Sequence, residues 1–339
     1  MKASVATYGS HSALQILKGA KDEGLKAVLL CPRSRLRFYD RFRLADEVLL
    51  VEGVEDLLRE DVQEKLTEMS GILVPHGTII ADVDIGRFVK GFRVPVFGNR
   101  NLLVWEADRE LKERLLKEAG IRVPRTFSSP DEVDCPVIVK LPGAEGGRGY
   151  FLASGREDLS KKLESLGVRA KAGLYLQEYV VGVTVYPHFF YSPLKGEVEL
   201  LGVDRRYETN VDSLGRIPAS DQLSLRLQPT YEVVGNIPIV LRESMLEGFY
   251  EMAERFVDAT KRLVPPGVIG PFCIEAVCRS PDDVVVFEFS ARIVAGTNLF
   301  INGSPYAYLL YGDGMSMGRR IAREIREAFE TSNLKKVTT

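Results

Sequence analysis

The sequence predicts an α/β protein with a doubly wound unit at the N-terminus, followed by two α+β lobes. Short apolar runs alternate with helical stretches over the first 120 residues, as in a parallel sheet covered by helices on both faces. From about residue 121 the strands are mostly of the antiparallel kind, joined by turns. The length of 339 residues suits this division, and we expect units over residues 1–120, 121–190 and 191–339.

Composition and charge exclude several classes of protein. Lys plus Arg number 45 and Asp plus Glu 47, so the net charge is -2 and no nucleic-acid partner is expected. No apolar run approaches the roughly 20 residues of a membrane span. The first residues lead directly into a strand-like segment, so we expect no signal peptide. The four cysteines lack the spacing of metal ligands. We therefore expect a cytoplasmic protein with no membrane partner.

Two turns of the N-terminal unit follow predicted parallel strands, where ligands bind in such sheets. His11 lies after the strand over residues 3–8 and at the start of the first predicted helix, whose free N–H groups attract anions. Simple capping of that helix by Ser10 is the alternative explanation. Thr78 follows the strand that ends at Pro75, and it is a second candidate for anion binding.

A glycine-rich hairpin follows the strand that ends at Lys140. Gly146, Gly147 and Gly149 stand between two strands, which excludes the dinucleotide-binding fingerprint and the P-loop because both need a helix there. Glycines let backbone N–H groups approach phosphates, and Lys140 adds a cation. The pattern indicates a phosphate-binding hairpin, with an ordinary flexible hairpin as the alternative.

A carboxylate pair is predicted in the last hairpin, which turns at residues 281–282. Centring the hairpin there places Glu275 opposite Glu288, and Ala276 opposite Phe287 on the other face. Opposed like charges about 5 Å apart destabilise a sheet, and a divalent cation bridging to phosphate oxygens removes that conflict. An exposed acidic face that tolerates mild repulsion is the alternative.

The strand-like segment from Gln177 through Glu178 to Val181 is a candidate edge for an adenine. A base needs apolar packing with backbone donors and acceptors, and the end of a strand supplies both. A plain buried strand remains the alternative.

In this order along the chain, the features resemble the ATP-grasp superfamily. Longer stretches are similar to one family within it, the archaeal formate-dependent synthetases that formylate 5-aminoimidazole-4-carboxamide ribonucleotide (AICAR) in purine biosynthesis. The likeness is carried by residues 6–14, 97–100, 139–140, 143–144, 146–151, 204–210, 235–238 and 287–292.

The resemblance implies an N-terminal domain before two lobes that clamp ATP with Mg²⁺ or Mn²⁺. It also implies that formate attacks the γ-phosphate, and that the ribotide amine then takes the formyl group to give the formamido product (FAICAR), ADP and phosphate. The residues implied are Lys140, Gly146, Gly147, Gly149, Gln177, Glu178, Val181 and Glu208 for ATP, Glu275 and Glu288 for the metal, His11, Thr78 and Asn236 for the ribotide, and Arg292 for catalysis. A homo-oligomer, a trimer or hexamer, is implied as well, and the arginine-rich segment 33–43 is a candidate contact.

Two alternatives stay open at this stage. The chain could be a paralogous ATP-grasp carboxylate–amine ligase with another substrate, or a non-catalytic protein that binds a nucleotide or ribotide. Ser290 stands where most ATP-grasp enzymes have Asn, which leaves a third protein ligand for the metal open, with Asn298 as a candidate.

Overall fold

The computed structural model describes residues 3–141, 149–165, 174–225 and 230–339. Three sheets form in chain order within these ranges. None of the helices in the described part of the chain is both long enough and apolar enough to cross a membrane.

The N-terminal sheet is parallel, with the strand order β3-β2-β1-β4. Its central strands β1 and β2 are almost wholly buried, which is why they read as continuous apolar runs in the sequence. The elements of this region are β1 (Ser4–Tyr8), α1 (Ala13–Asp22), β2 (Lys26–Cys31), α2 (Arg33–Asp40), β3 (Glu47–Leu50), a 3-10 helix (Val54–Leu58), α3 (Glu60–Glu68), β4 (Gly71–Leu73), α4 (Gly77–Asp82), α5 (Ile85–Gly91), α6 (Arg100–Ala107) and α7 (Arg109–Glu118).

The second sheet is small and antiparallel, with the order β5-β8-β6-β7. Val137, Val139 and Leu176 form its buried face, and helix α8 covers them through Leu159. The elements are β5 (Thr126–Phe127), a 3-10 helix (Pro130–Glu132), β6 (Val137–Lys140), β7 (Tyr150–Ala153), α8 (Arg156–Ser165) and β8 (Tyr175–Glu178).

The third sheet has five antiparallel strands in the order β11-β10-β9-β12-β13. One face packs on the long helix α11, where the ring of Phe272 stacks on those of Phe189 and Phe256. The ring of Phe289 packs on Phe256 in a tilted arrangement. The elements are β9 (Val183–Ser192), β10 (Glu197–Glu208), α9 (Val211–Leu214), α10 (Ala219–Leu225), β11 (Val233–Pro238), α11 (Glu243–Leu263), β12 (Gly270–Ser280), β13 (Asp283–Ser290), a 3-10 helix (Ala295–Phe300) and α12 (Pro305–Tyr311).

Two last helices, α13 (Met317–Glu330) and α14 (Leu334–Val337), return to the N-terminal sheet. A Cβ added at Gly19 of α1 would lie 2.2 Å from the backbone carbonyl carbon of Gly318 in α13, so only glycine permits this crossing. Beyond α14, the backbone of Thr339 exchanges two hydrogen bonds with that of Val96. The N-terminal core is therefore completed by the most C-terminal helices.

Candidate functional site

The polar groups of the site are gathered on one face of the five-stranded sheet, opposite the face that packs on α11. Cross-strand partners in an antiparallel sheet share a face, so the register decides which side chains meet. The partners that carry polar side chains on this face are Arg206 with Asn236, His188 with Cys273, Cys273 with Ser290, and Glu275 with Glu288. Side chains from all five strands of this sheet thus assemble the site on one surface.

The predicted register of Glu275 opposite Glu288 is confirmed. The pairing of Ile274 with Phe289 on the other face is also observed, but the prediction that Ala276 lies opposite Phe287 is wrong. A β-bulge makes Phe287 an extra residue and places Ala276 opposite Val286. The ring of Phe287 instead meets Tyr186 edge to face, with centroids 6.3 Å apart. The bulge leaves the carboxylate pair, as we call Glu275 and Glu288, in register.

The two carboxylates are balanced by different cations. Glu275 is buried, and its Oε2 lies 2.7 Å from Nη2 of Arg206, while Ser290 donates to Oε1 at 3.2 Å. Glu288 is more open and forms an ion pair with Lys112 of α7. Burial, reinforced by the charge of Glu288, raises the pKa of Glu275 against the pull of Arg206. Burial also works to raise the pKa of Glu288, but the ammonium groups of Lys112 and Lys140 outweigh it and hold that pKa well below its usual range.

This donor set fits a hard divalent cation that is shared with phosphates. Among the described residues, no group of three or more His, Cys, Asp or Glu side chains could hold a metal alone. Mg²⁺ commonly takes one or two carboxylates and completes its shell with phosphate oxygens and water. Ser290 bonds to Glu275, whereas Asn298 donates to the carbonyl oxygen of His11 at 3.1 Å, away from the pair.

The small sheet brings Lys140 towards the carboxylate pair. Its Nζ donates to Oε1 of Gln177 at 3.2 Å and lies 5.2 Å from the ring centroid of Tyr175. Burial lowers the pKa of Lys140, and the charge of Glu288 partly offsets this effect. The ammonium is half-buried and has no carboxylate in hydrogen-bonding contact among the described residues, so it is suited to receive a phosphate.

The other residues predicted to bind the nucleotide are spread over several elements. Glu178 is held by Arg279, whose Nη2 lies 2.6 Å from its Oε1, and Val181 is exposed. Burial raises the pKa of Glu208 on β10. Gly149 has a positive φ of 75°, a conformation that favours glycine, and Gly146 and Gly147 lie outside the described residues.

Arg292 lies between the carboxylate pair and the end of the N-terminal sheet. Its Nη2 is 2.9 Å from Oε1 of Glu106, whose Oε2 accepts a hydrogen bond from the backbone N–H of Ala291. Nε of Arg292 is buried and has no hydrogen-bond partner within the described part of the chain. Its charge lowers the pKa of both Glu275 and His11, and the next residue, Ile293, pairs with His76 in an isolated parallel bridge. The arginine is therefore fixed by a buried carboxylate and keeps donor capacity free.

His11 and Thr78 meet at the carboxyl ends of β1 and β4. The rings of His11 and His76, which we call the histidine pair, stack in parallel with centroids 5.5 Å apart. Oγ1 of Thr78 donates to Oγ of Ser10 at 3.0 Å. Capping of α1 by Ser10 is not observed, because Ser12 is the N-cap residue and makes no side-chain cap bond.

His76 is held as a neutral ring. Its Nε2 donates to the carbonyl oxygen of Tyr8 at 2.8 Å, and its Nδ1 accepts from the backbone N–H of Thr78. Burial lowers the pKa of His76 to about 4, against the effect of the bond to Tyr8. Desolvation and the charge of Arg292 likewise bring the pKa of His11 far below its usual range. Both imidazoles are therefore uncharged near neutral pH.

Asn236 donates from Nδ2 to Oδ2 of Asp204 at 2.6 Å, and it lies beside Arg206, the arginine that binds Glu275.

The sequence alone predicts no role for four side chains that the site uses: Glu106, Lys112, Asp204 and Arg206. The polar residues 204, 206 and 208 alternate along β10, a signal that would have indicated a shared face. Glu106 and Lys112 lie on charged helices and give no such signal.

Comparisons with known proteins match the chain along nearly its whole length. Residues 157–339 match a family model described as a domain of unknown function, DUF1297. Residues 5–127 match a second model, described as a protein of unknown function, DUF1246.

Two similar proteins are 5-formaminoimidazole-4-carboxamide-1-(beta)-D-ribofuranosyl 5'-monophosphate synthetases. The one from Methanocaldococcus jannaschii is 49% identical over 340 residues, covering 98% of this chain and 94% of that protein. The one from Cenarchaeum symbiosum is 51% identical over 340 residues, covering 99% of each.

Solved structures are similar as well. The crystal structure of an IMP biosynthesis protein, PurP, from Thermococcus kodakaraensis has a TM-score of 0.79 and 33% identity, covering 99% of this chain and 100% of that chain. An N5-carboxyaminoimidazole ribonucleotide synthetase from Thermotoga maritima has a TM-score of 0.62 and 19% identity, covering 96% and 76%, a likeness of fold alone.

Proposed function

Because the chain belongs to the archaeal family of 5-formaminoimidazole-4-carboxamide ribonucleotide synthetases and has the ATP-grasp fold, we propose that it formylates AICAR with formate and ATP. The products are FAICAR, ADP and phosphate, and the reaction forms a C–N bond. The observation that carries the proposal is the position of Arg292, between a carboxylate pair suited to a metal nucleotide and a histidine pair at a sheet end.

ATP is assigned to the cleft between the small sheet and the five-stranded sheet. Lys140 and the glycine hairpin, through Gly146, Gly147 and Gly149, bind the phosphates, and Gln177, Glu178, Val181 and Glu208 line the nucleoside. Glu275 and Glu288 hold Mg²⁺ or Mn²⁺, which supplies neutralisation of phosphate charge. Catalysis of phosphoryl transfer consists mainly of such positioning and charge balance.

The ribotide is assigned to the opposite side of Arg292, against His11, Thr78 and Asn236. Arg292 stabilises the negative charge that develops as formate attacks the γ-phosphate and as the formyl group moves to the amine. Neutral imidazoles suit this place, because a second cation beside the amine would oppose its attack. The two half-reactions then share one arginine.

The three units over residues 1–120, 121–190 and 191–339 are proposed to act as a ribotide-facing domain and two lobes that close over ATP. A homo-oligomer, a trimer or hexamer, is also proposed. Its support is a set of exposed apolar side chains on α2 and α12: Phe38, Leu309 and Leu310. Light scattering coupled to gel filtration measures the mass in solution, and a monomer at micromolar concentration contradicts this part.

The experiment that tests the function measures ADP release with ATP, Mg²⁺, formate and AICAR, omitting each in turn. We expect ADP release that requires all four, with formation of FAICAR in equal amount. ADP release that ignores both formate and AICAR would overturn the substrate assignment. Binding of the ribotide without ADP release would instead identify a non-catalytic protein.

A further inference from the structure

Glu106 reaches the site from outside the five-stranded sheet. It lies on α6, which precedes the second sheet in the chain, and its side chain is 4% exposed. Both carboxylate oxygens are used: Oε1 lies 2.9 Å from Nη2 of Arg292, and Oε2 accepts a hydrogen bond from the backbone N–H of Ala291 at 2.8 Å. A buried carboxylate that binds two successive residues fixes the backbone before the arginine as well as the arginine side chain.

The guanidinium of Arg292 is restrained at a second point. Its Nη1 donates to the carbonyl oxygen of the next residue, Ile293, at 3.2 Å. Both terminal nitrogens of the planar group are thus engaged, whereas Nε has no acceptor within the described ranges of the chain. Because the bond to Glu106 joins two charged groups, it is the stronger of the two restraints.

The carboxylate pair offers Arg292 a competing partner. Continuing the alternation of β13 by one step places Arg292 on the same side of the chain as Glu288, and its charge lowers the pKa of Glu275. An arginine that loses a buried partner is left with an uncompensated charge, so it turns to another carboxylate within reach. In this site, that means the oxygens that a divalent cation shares with phosphates.

We propose that Glu106 is the positioning residue that keeps Arg292 away from the carboxylate pair, so that the arginine and the metal ion do not compete for the same oxygens. The inference rests on the proposed function and deepens it, because it gives a helix outside the two ATP-binding sheets control over occupancy of the metal site. Arg292 remains a separate cation for the transferring groups only while Glu106 holds it.

The test measures the dissociation constant of ADP by calorimetry, with and without Mn²⁺, on the full-length protein. The ratio of the two constants is the gain in affinity that the metal provides. Glu106→Gln keeps the shape of the side chain but removes the charge that holds Arg292, so the gain should fall by about 10-fold. Binding of ADP without metal should not weaken, whereas a general loss of structure would weaken both.

A second variant identifies the competitor. Glu106→Gln combined with Arg292→Met removes the released arginine as well, so the gain from Mn²⁺ should return to the wild-type value. The matched control is Glu199→Gln, which removes another buried carboxylate that pairs with an arginine, Arg320 of α13, at 2.8 Å. This control should keep the wild-type gain.

An unchanged gain in Glu106→Gln would overturn the inference. So would a double variant that stays as weak as Glu106→Gln, because the arginine would then not be the competitor. A wild type that binds ADP equally with and without Mn²⁺ refutes the metal site of the proposed function, and the inference with it, before any variant is made.

Discussion

The candidate site has two ends whose side chains are held in place in different ways. We call them the ribotide end, around His76 and Asn236, and the carboxylate end, around Glu275 and Glu288. At the end proposed to bind the ribotide, His76, Asp204 and Asn236 are fixed by hydrogen bonds to neighbouring groups. At the carboxylate end, Glu275 and Glu288 are paired with the side chains of Arg206 and Lys112. The first end is held by hydrogen bonds, whereas the second balances its charge with its own cations. In the proposed function, those cations give up the carboxylates when a metal nucleotide binds.

The largest effect is expected from breaking the carboxylate end. Glu288→Gln removes one of the two proposed metal ligands, so Mg²⁺-dependent ADP release should fall by about 1,000-fold. The measurement is the rate of ADP release at saturating substrates, with the exposed Glu251→Gln of α11 as the matched control. Turnover at the wild-type rate would remove the assignment of the carboxylate pair.

At the ribotide end, the low pKa of His76 predicts that the free energy of unfolding depends on pH. The folded His76 has a pKa of about 4 against 6.5 for a free imidazole, so the unfolded chain takes up a proton first as the pH falls. Stability is therefore fully present above about pH 6.5 and is lost towards pH 4, by roughly 3 kcal/mol from this residue. Urea unfolding at pH 7 and pH 5 should give a smaller pH dependence for His76→Gln than for the wild type. An identical dependence would show that the buried ring does not control it.

His11 should separate the two ends kinetically. His11→Ala removes a neutral ring at the ribotide end, so the KM for AICAR should rise about 10-fold while the KM for ATP stays the same. Steady-state kinetics with each substrate varied in turn provides the measurement. Equal changes in both KM values would place His11 outside the ribotide site.

The smallest effect is expected from removing the protein's own cation at Glu288, which competes with a metal ion for that carboxylate. Lys112→Met removes the ammonium that competes for Glu288, so Mn²⁺ should bind several-fold more tightly in the absence of nucleotide. Titration followed by electron paramagnetic resonance measures free Mn²⁺. The matched control is Lys117→Met on the same helix, whose ammonium pairs with Glu113. Weaker Mn²⁺ binding in Lys112→Met would contradict competition between the two cations.

Much of the fold could be predicted because local patterns determine it. The parallel strands expected in the first 120 residues are β1 to β4, and the hairpin register follows from the turn and the apolar face. The bulge at Phe287 could not be foreseen, since an extra residue leaves no mark in the alternation. Helix α2 was not predicted either, because its arginine-rich sequence lacks an apolar stripe.

The site was predictable where residues of one hairpin or one strand meet, as for Glu275 and Glu288. Contacts between distant segments were not, because charged helical residues look alike whether they face solvent or a carboxylate. Lys112 and Glu288 are 176 residues apart, and Glu106 binds an arginine after β13. Such pairs follow from the packing of the units and not from any local spacing.

The crossing of α1 and α13 has a consequence for how the protein is made. On the ribosome, Ile16 and Leu17 of α1 emerge long before Ile321 and Ile325 of α13, which belong to the same buried cluster. This apolar side of the N-terminal sheet stays uncovered until α13 has been synthesised. Folding of the first unit is completed only then, and the uncovered side is open to aggregation in the meantime.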